Sequence, residues 1–223
     1  MDDLYVWDET GRAYSCRLGR YKTRVEWLFI KRQLDKNRSA KKILDVGGGG
    51  GRFARRLNDL GFNVKIIDKN ETAISMAKRR GYNAECVDFF KLDQSEKYDI
   101  IIAIEVLLYV KDKKTFFDKI HELLNPDGIF IFTATNPESW RYILTKLHSK
   151  SCKDYYEERL LFYENLIFTG YHMLEIYGFM WQPFKLNSNS ICIDFFEKIE
   201  MVLLSQYIKQ SPWWLFAIRK KER

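Results

Sequence analysis

From residue 42 to about residue 135, short apolar runs alternate with stretches in which apolar side chains recur every three or four positions. "KKILDV" predicts a strand, and "GRFARRLNDL" predicts a helix whose Phe53, Leu57 and Leu60 share a face and which Gly61 stops. "NVKIID" is the next strand. "ETAISMAKRR" is a helix with Asn70 as its N-cap and Gly81 just past its end. "NAECVDFF" and "YDIIIAI" predict a third and a fourth strand. "DKKTFFDKIHELL" sets Phe116, Phe117, Ile120, Leu123 and Leu124 in one apolar stripe, and "NPDG" turns the chain into a fifth strand, "IFIFTAT". Upstream, "RVEWLFIKRQL" predicts a helix behind an aromatic and basic segment. The pattern is less regular downstream. "ESWRYILTKLH" reads as a helix, "TGYHMLEIYGF" as a short helix capped by Thr169 and stopped by Gly178, "DFFEKIEMVLLSQYI" as an amphipathic helix and "WWLFAIRKK" as the last strand.

Strand–helix alternation with strands this apolar predicts an α/β protein, its mostly parallel sheet covered by helices on both faces in the doubly wound plan. Such sheets bind ligands beyond the carboxyl ends of their strands. Attention therefore falls on Asp45–Gly51, Asp68, Asp88–Phe89, Glu105–Tyr109 and Thr135–Trp140.

Composition narrows the class. The 223 residues are 46% apolar, and a chain this long buries roughly 70–75% of its unfolded surface, enough to fold without disulfides or metal. Cys16, Cys86, Cys152 and Cys192 stand apart with no CxxC pair, which points to reduced thiols and to no metal site. The net charge of +7 permits nucleic acid, an acidic membrane surface or an anionic substrate, but "AKRR" and "IRKKER" read as solvated helix and chain ends. "MDDLYVWDET" is acidic and unlike a signal peptide, and the longest apolar run, broken by Glu105, is too short to span a membrane. A soluble cytoplasmic protein is the expectation.

Five consecutive glycines, Gly47–Gly51, follow the first strand. Gly49, Gly51 and Ala54 satisfy the dinucleotide pattern G-x-G-x-x-A, with Asp68 near the place of a ribose-binding acid. In a run of five, however, some register always matches. A phosphate loop fails, because no Gly-Lys-Ser/Thr follows. In the register Asp45-Val46-Gly47-x-Gly49-x-Gly51, an acid stands at the tip of the first strand. It would repel a pyrophosphate and attract a ligand bearing an ammonium and a sulfonium. The helix N-terminus that follows offers amides to such a ligand's carboxylate.

The motifs in this order resemble those of the class I S-adenosylmethionine-dependent methyltransferases, over residues 40 to about 140. "LDVGGGGG" is similar to the glycine-rich motif of that family, with Asp45, Gly47, Gly49 and Gly51 at its positions; Gly48 and Gly50 read as backbone freedom more than contact. Asp68 in "KIIDKN", with Lys69 beside it, matches the acid that binds the ribose hydroxyls. Asp88 and Phe89 in "CVDFF" match the pair that grips the adenine. "YDIIIAIEVLLYVKD" is similar to the fourth-strand motif, where Glu105 would belong to the cofactor wall, and "LLNPDGIFIFTATNP" to the turn and fifth strand. The resemblance implies a Rossmann-like sheet of seven strands and S-adenosyl-L-methionine as cofactor. It divides the single domain of 1–223 into an N-terminal helical lid (1–40), a cofactor-binding core (41–136) and substrate-side decoration with the last strands (137–223). Plainer roles compete: Asp68 as a helix-entry carboxylate, Asp88 as a turn residue, Phe89 or Phe90 as core.

"EVLLYV" and "TATNP" most resemble the small-molecule O-methyltransferases of the ubiquinone-biosynthesis type, which implies methyl transfer to an oxygen of a small acceptor. That group commonly carries a histidine after the fourth strand, where Tyr109 stands here. A phenol of pKa near 10 is a poor base, so Tyr109 is expected to shape the pocket. His121 reads as solvated surface and His148 has nothing around it to recommend it. His172 would lie at the substrate mouth if its segment were a helix leading into a parallel strand, and is the candidate base. Glu105 is a second candidate. Tyr155, Tyr156, Phe162, Tyr163, Phe168 and Tyr171 wall an acceptor site or fill core. No [DNS]-P-P-[FYW] or Pro-Cys signature supports nucleic-acid methylation, although an RNA or tRNA substrate and a non-catalytic cofactor-binding role are the alternatives. The expected assembly is a monomer or homodimer.

Overall fold

The computed structural model describes residues 12–148, 156–185, 187–204 and 206–221. Its elements are α1 (Arg12–Ser15), α2 (Arg17–Lys36), β1 (Lys42–Val46), α3 (Ala54–Asp59), β2 (Asn63–Asp68), α4 (Glu71–Arg79), β3 (Asn83–Cys86), β4 (Tyr98–Ala103), α5 (Lys113–Leu123), β5 (Leu124–Thr135), α6 (Trp140–His148), α7 (Leu160–Gly170), β6 (Tyr171–Phe179), α8 (Cys192–Ile199) and β7 (Trp213–Lys220). The strands form one seven-stranded sheet in the order β3-β2-β1-β4-β5-β7-β6, with β7 antiparallel to both neighbours and the other pairings parallel. After β1 the chain winds outward through β2 and β3, then returns to place β4 on the other side of β1. That reversal opens a crevice beyond the carboxyl ends of β1 and β4.

Alternation along each strand sends successive side chains to opposite faces. Ile43, Ile66, Ile100, Ile131 and Leu215 pack under α2, α3 and α4, whereas Leu44, Ile67, Ile101, Phe130 and Phe216 pack under α5 and α7. Both faces are covered, which is why the strands read as continuous apolar runs. Asn70 and Asp112 cap α4 and α5 by accepting the Ala73 and Thr115 amides. Among the described residues, no helix is long and apolar enough to cross a membrane.

Four sequence expectations need correction. "TGYHMLEIYGF" is not a helix: Thr169 closes α7, its hydroxyl donating to the Leu166 carbonyl, and Tyr171–Phe179 is strand β6. Pairing with β7 along the whole segment supplies hydrogen bonds that local pattern does not reveal. "NPDG" is not a turn ahead of the fifth strand but a bulge within β5. The register against β4 slips between Tyr98↔Leu124 and Ile100↔Ile129, and Asp127 takes φ +59°. The segment read as a lid is mostly core: α2 buries Tyr21, Val25, Phe29 and Ile30 against the sheet. His121, expected at the solvated surface, is buried, its ring edge-on to Tyr171 at 5.4 Å between centroids. Residues 1–11, and with them the first part of the expected lid, lie outside the described residues, as do Cys152 and Tyr155.

Candidate active site

A cavity of about 720 Å³ lies in the crevice at the carboxyl ends of β1, β2 and β4. Asp45 and Gly47 form its floor, Asp68 and Lys69 one side, Asp88 and Phe89 the far end. Glu105 and Tyr109 close the opposite wall.

The floor depends on two glycines. A Cβ on Gly48 would stand 2.5 Å from Asp45 Oδ2 and 2.9 Å from Ile66. Gly51, at φ +89°, lies under the ring of Tyr82, which a Cβ would approach to 2.7 Å. Gly49 and Gly51 do not line the cavity. Gly49 acts through its N–H, which donates to Asp68 Oδ2 at 3.1 Å, while Gly51 packs away from the crevice. Asp68 Oδ1 accepts the Asn70 N–H at 2.8 Å, so two backbone amides aim this carboxylate.

Asp45 is 3% exposed and its Oδ2 has no hydrogen-bond partner. Burial raises its pKa to about 7, Arg52 opposing the rise and Asp68 adding to it. Such an atom, in a recess that any side chain at position 48 would fill, suits a ligand cation or hydrogen-bond donor. At the far end, Asp88 accepts the Phe90 N–H at 2.9 Å, capping a single 3₁₀ turn, Phe89–Lys91. That turn holds Phe89 against Phe116 with ring centroids 4.5 Å apart. Both plainer readings are therefore correct as far as they go: Asp88 is a turn residue and Phe89 is buried. Each also faces the cavity.

Glu105 follows β4 in a left-handed conformation, φ +61°, with its N–H donating to Thr133 Oγ1 at 2.6 Å. A non-glycine residue in that region is strained and is held by its surroundings. Here the surroundings are charged. Lys22 Nζ lies 2.7 Å from Oε2, Arg52 Nη2 3.2 Å from Oε1, and the Tyr14 hydroxyl donates to Oε1 at 3.0 Å. Burial opposes ionisation of Glu105, but Lys22 and Arg52 outweigh it and hold the carboxyl below its usual range. A carboxylate so engaged is not free to take a proton, so Glu105 is a wall residue and not a base. Arg52 also pairs with Glu26 of α2 at 2.9 Å.

Tyr109, in a 3₁₀ turn after β4, is 47% exposed at the cavity rim. Tyr156, 41% exposed, faces the same cavity, and its backbone is pinned to the turn by its own N–H to the Leu108 carbonyl and by Lys113 to its carbonyl. Of the other late aromatics described, Tyr163 and Tyr171 are core, Phe162 packs against it, and Phe168 is exposed. His172 does not reach the site. Because β6 runs parallel to β5, its first residues lie at the amino edge, where His172 pairs with Arg219 on β7, at the end of the sheet away from the cavity.

Tyr14, Lys22, Glu26 and Arg52 were not among the sequence candidates, whereas Tyr156 was one of the aromatics expected either to wall an acceptor site or to fill core. One signal was available. Lys22 and Glu26, four residues apart on a helix, interrupt the apolar face made by Tyr21, Val25 and Phe29. Charges at core-facing positions need buried partners.

Known proteins resemble this chain in sequence and in fold. A family model described as a methyltransferase domain matches residues 20–178. The chain is 31% identical over 163 residues to a ubiquinone biosynthesis O-methyltransferase of Rickettsia conorii, covering 66% of this chain and 56% of that one, so the match spans little over half of that relative. With the same enzyme of Rickettsia felis it is 29% identical over 193 residues, covering 78% and 79%. Among solved structures, magnesium protoporphyrin IX methyltransferase from Synechocystis PCC 6803 with bound SAH superposes with a TM-score of 0.66 at 11% identity, covering 92% and 85%. N-methyltransferase NodS from Bradyrhizobium japonicum with S-adenosylhomocysteine gives 0.61 at 16%, covering 93% and 89%.

Proposed function

The chain belongs to the class I S-adenosylmethionine-dependent methyltransferases, and from that premise we propose that it transfers a methyl group from S-adenosylmethionine to an oxygen of a small organic acceptor. The observation that carries this reading is the cavity itself. One buried acid whose Oδ2 has no hydrogen-bond partner, Asp45, sits at its floor; an acid aimed by two amides, Asp68, sits at its side; an aromatic slot beside Asp88 closes its far end. In that order they suit an ammonium, a ribose diol and an adenine. The cofactor would supply the electrophilic methyl group. Asp45, Asp68, Lys69, Asp88, Phe89 and Glu105 are the residues that would hold it, with Gly47 as floor. Gly49 and Gly51 serve the site indirectly, by aiming Asp68 and by letting the loop pack under Tyr82.

On the acceptor side, Tyr109 and Tyr156 present two half-exposed rings at the rim, with Phe90 exposed nearby. Such walls suit a flat, largely apolar molecule. They bind and orient it and exclude water, and orientation of this kind is worth roughly 7–11 kcal/mol of barrier in favourable cases. The Rickettsia relatives carry the name of a ubiquinone biosynthesis O-methyltransferase, which favours a phenolic oxygen as acceptor. The test is an assay of S-adenosylhomocysteine release across phenols, carboxylates, sugars and tRNA. Turnover with phenols above all others is expected, and turnover confined to tRNA would overturn the small-molecule reading.

A further inference from the structure

Tyr109 and Tyr156 come from segments far apart in the chain, yet both face the same cavity. What joins them is a buried lysine. Lys113, the first residue of α5, is 2% exposed. Its Nζ donates to the Val110 carbonyl at 3.1 Å and to the Tyr156 carbonyl. The Tyr156 N–H in turn donates to the Leu108 carbonyl at 3.0 Å, so both backbone polar groups of Tyr156 are bound to the segment after β4. The next residue is fastened to a second strand: Glu157 Oε1 accepts the Thr135 hydroxyl at 2.7 Å, at the end of β5. Residues 109–112 and Tyr156 line the cavity, with Lys113 next in the chain behind them.

This is a costly place for an ammonium. The first turn of a helix exposes unpaired N–H groups and is the positive end of its dipole. Burial also disfavours the charged form and lowers the Lys113 pKa, with Glu158 and Glu157 opposing. No carboxylate among the described residues forms an ion pair with it. A methionine would fill much the same space without these costs, and would lack only the donors to the two carbonyls. We propose that Lys113 is a positioning residue for the methyl acceptor: its ammonium staples the Tyr156 backbone to the turn that bears Tyr109, so that the two rings present one wall to a flat phenol. This rests on the reading that the cavity serves methyl transfer to a small aromatic acceptor. Asp45, Asp68 and Asp88, on the cofactor side, follow other strands and make no contact with Lys113.

The experiment is calorimetric titration with S-adenosylhomocysteine, followed by titration of 2-naphthol, a flat uncharged phenol, into the protein saturated with it. Lys113→Met removes the donors and keeps an unbranched side chain. It is expected to weaken 2-naphthol about tenfold, the loss of a charge-assisted hydrogen bond, and to leave S-adenosylhomocysteine within about twofold. Tyr156→Ala, at a half-exposed position that does not threaten folding, is expected to do the same. Because Lys113 acts through Tyr156 and the turn beside it, the double variant should lose far less than the product of the two single losses. Unchanged 2-naphthol affinity in Lys113→Met overturns the assignment. So does equal weakening of both ligands, the mark of a merely structural residue, and so do fully multiplicative losses in the double variant. A wild type that binds S-adenosylhomocysteine but not 2-naphthol also overturns it, with no variant required to fold. A wild type that binds no S-adenosylhomocysteine overturns the cofactor reading instead.

Discussion

Asp45 is the residue on which pH acts most directly. Burial carries its pKa to about 7, with Arg52 and Asp68 pulling in opposite directions, so near neutrality the ligand-free protein is divided between its two forms. A cationic ligand favours the ionised form. Affinity for S-adenosylhomocysteine is therefore expected to rise as pH passes upward through about 7, and Asp45→Asn to flatten that rise, by calorimetry from pH 6 to 8.5. The stability effect has the opposite sign. A carboxyl whose folded-state pKa lies above its ordinary value holds its proton more tightly when folded. Its contribution is complete below the ordinary value and is lost as pH climbs to the folded one. Glu26 and Glu200, both raised to about 7 chiefly by burial, act in the same sense. The ligand-free melting temperature should thus fall between pH 5 and pH 8, and a rise over that interval in a circular-dichroism melt would contradict the assignment. Asp68 makes a simpler prediction. Asp68→Ala leaves the Gly49 and Asn70 amides without their acceptor and should weaken S-adenosylhomocysteine by at least about tenfold; an unchanged Kd would remove the ribose role.

At the scale of elements, the turn between β1 and α3 is the most sensitive. Gly48→Ala would drive a methyl group into Asp45 Oδ2 and Ile66, and such overpacking typically costs about 1–3 kcal/mol. The same methyl group occupies the recess, so ligand affinity should fall together with the urea midpoint. Phe132 of β5 separates the two effects. It stacks between Phe130 and Phe216, each 4.7 Å away, on the face opposite α2. Phe132→Ala should cost about 3–5 kcal/mol in urea unfolding while cofactor affinity in the folded protein stays near wild type. The core elements were legible because each carries its own punctuation: Asn70 and Asp112 cap their helices, and the Ile-rich runs make continuous buried strands. Tyr171–Phe179 was not legible. Its residues suit either state, and strand won because β7 lies beside it across the whole segment.

For the whole molecule, the cavity joins β1, β2, β4 and the turn after β3 to Tyr14 ahead of α2, so a bound ligand ties parts of the chain far apart in sequence. A ligand that binds only the folded state at 100 times its Kd adds about 2.7 kcal/mol of stability. For a chain of this size that is roughly 5–10 °C in melting temperature. Saturating S-adenosylhomocysteine should give a shift of that order, and an unchanged melting temperature would count against a cofactor site built from so many elements.

By itself, the sequence determined the doubly wound plan, the placing of Asp45, Asp68, Asp88 and Glu105 at strand ends, and the family those acids resemble. These are local matters: strand period, helix caps and the spacing of one strand–helix–strand step. Only the tertiary structure decided what α2 does. Lys22 and Glu26 lie more than 25 residues ahead of Arg52 and about 80 ahead of Glu105, and no periodicity announces which buried charge will meet which. It likewise decided that His172 belongs to the far edge of the sheet. The direction of a strand depends on the neighbour it pairs with, and β6 takes its direction from β7, some 40 residues later in the chain.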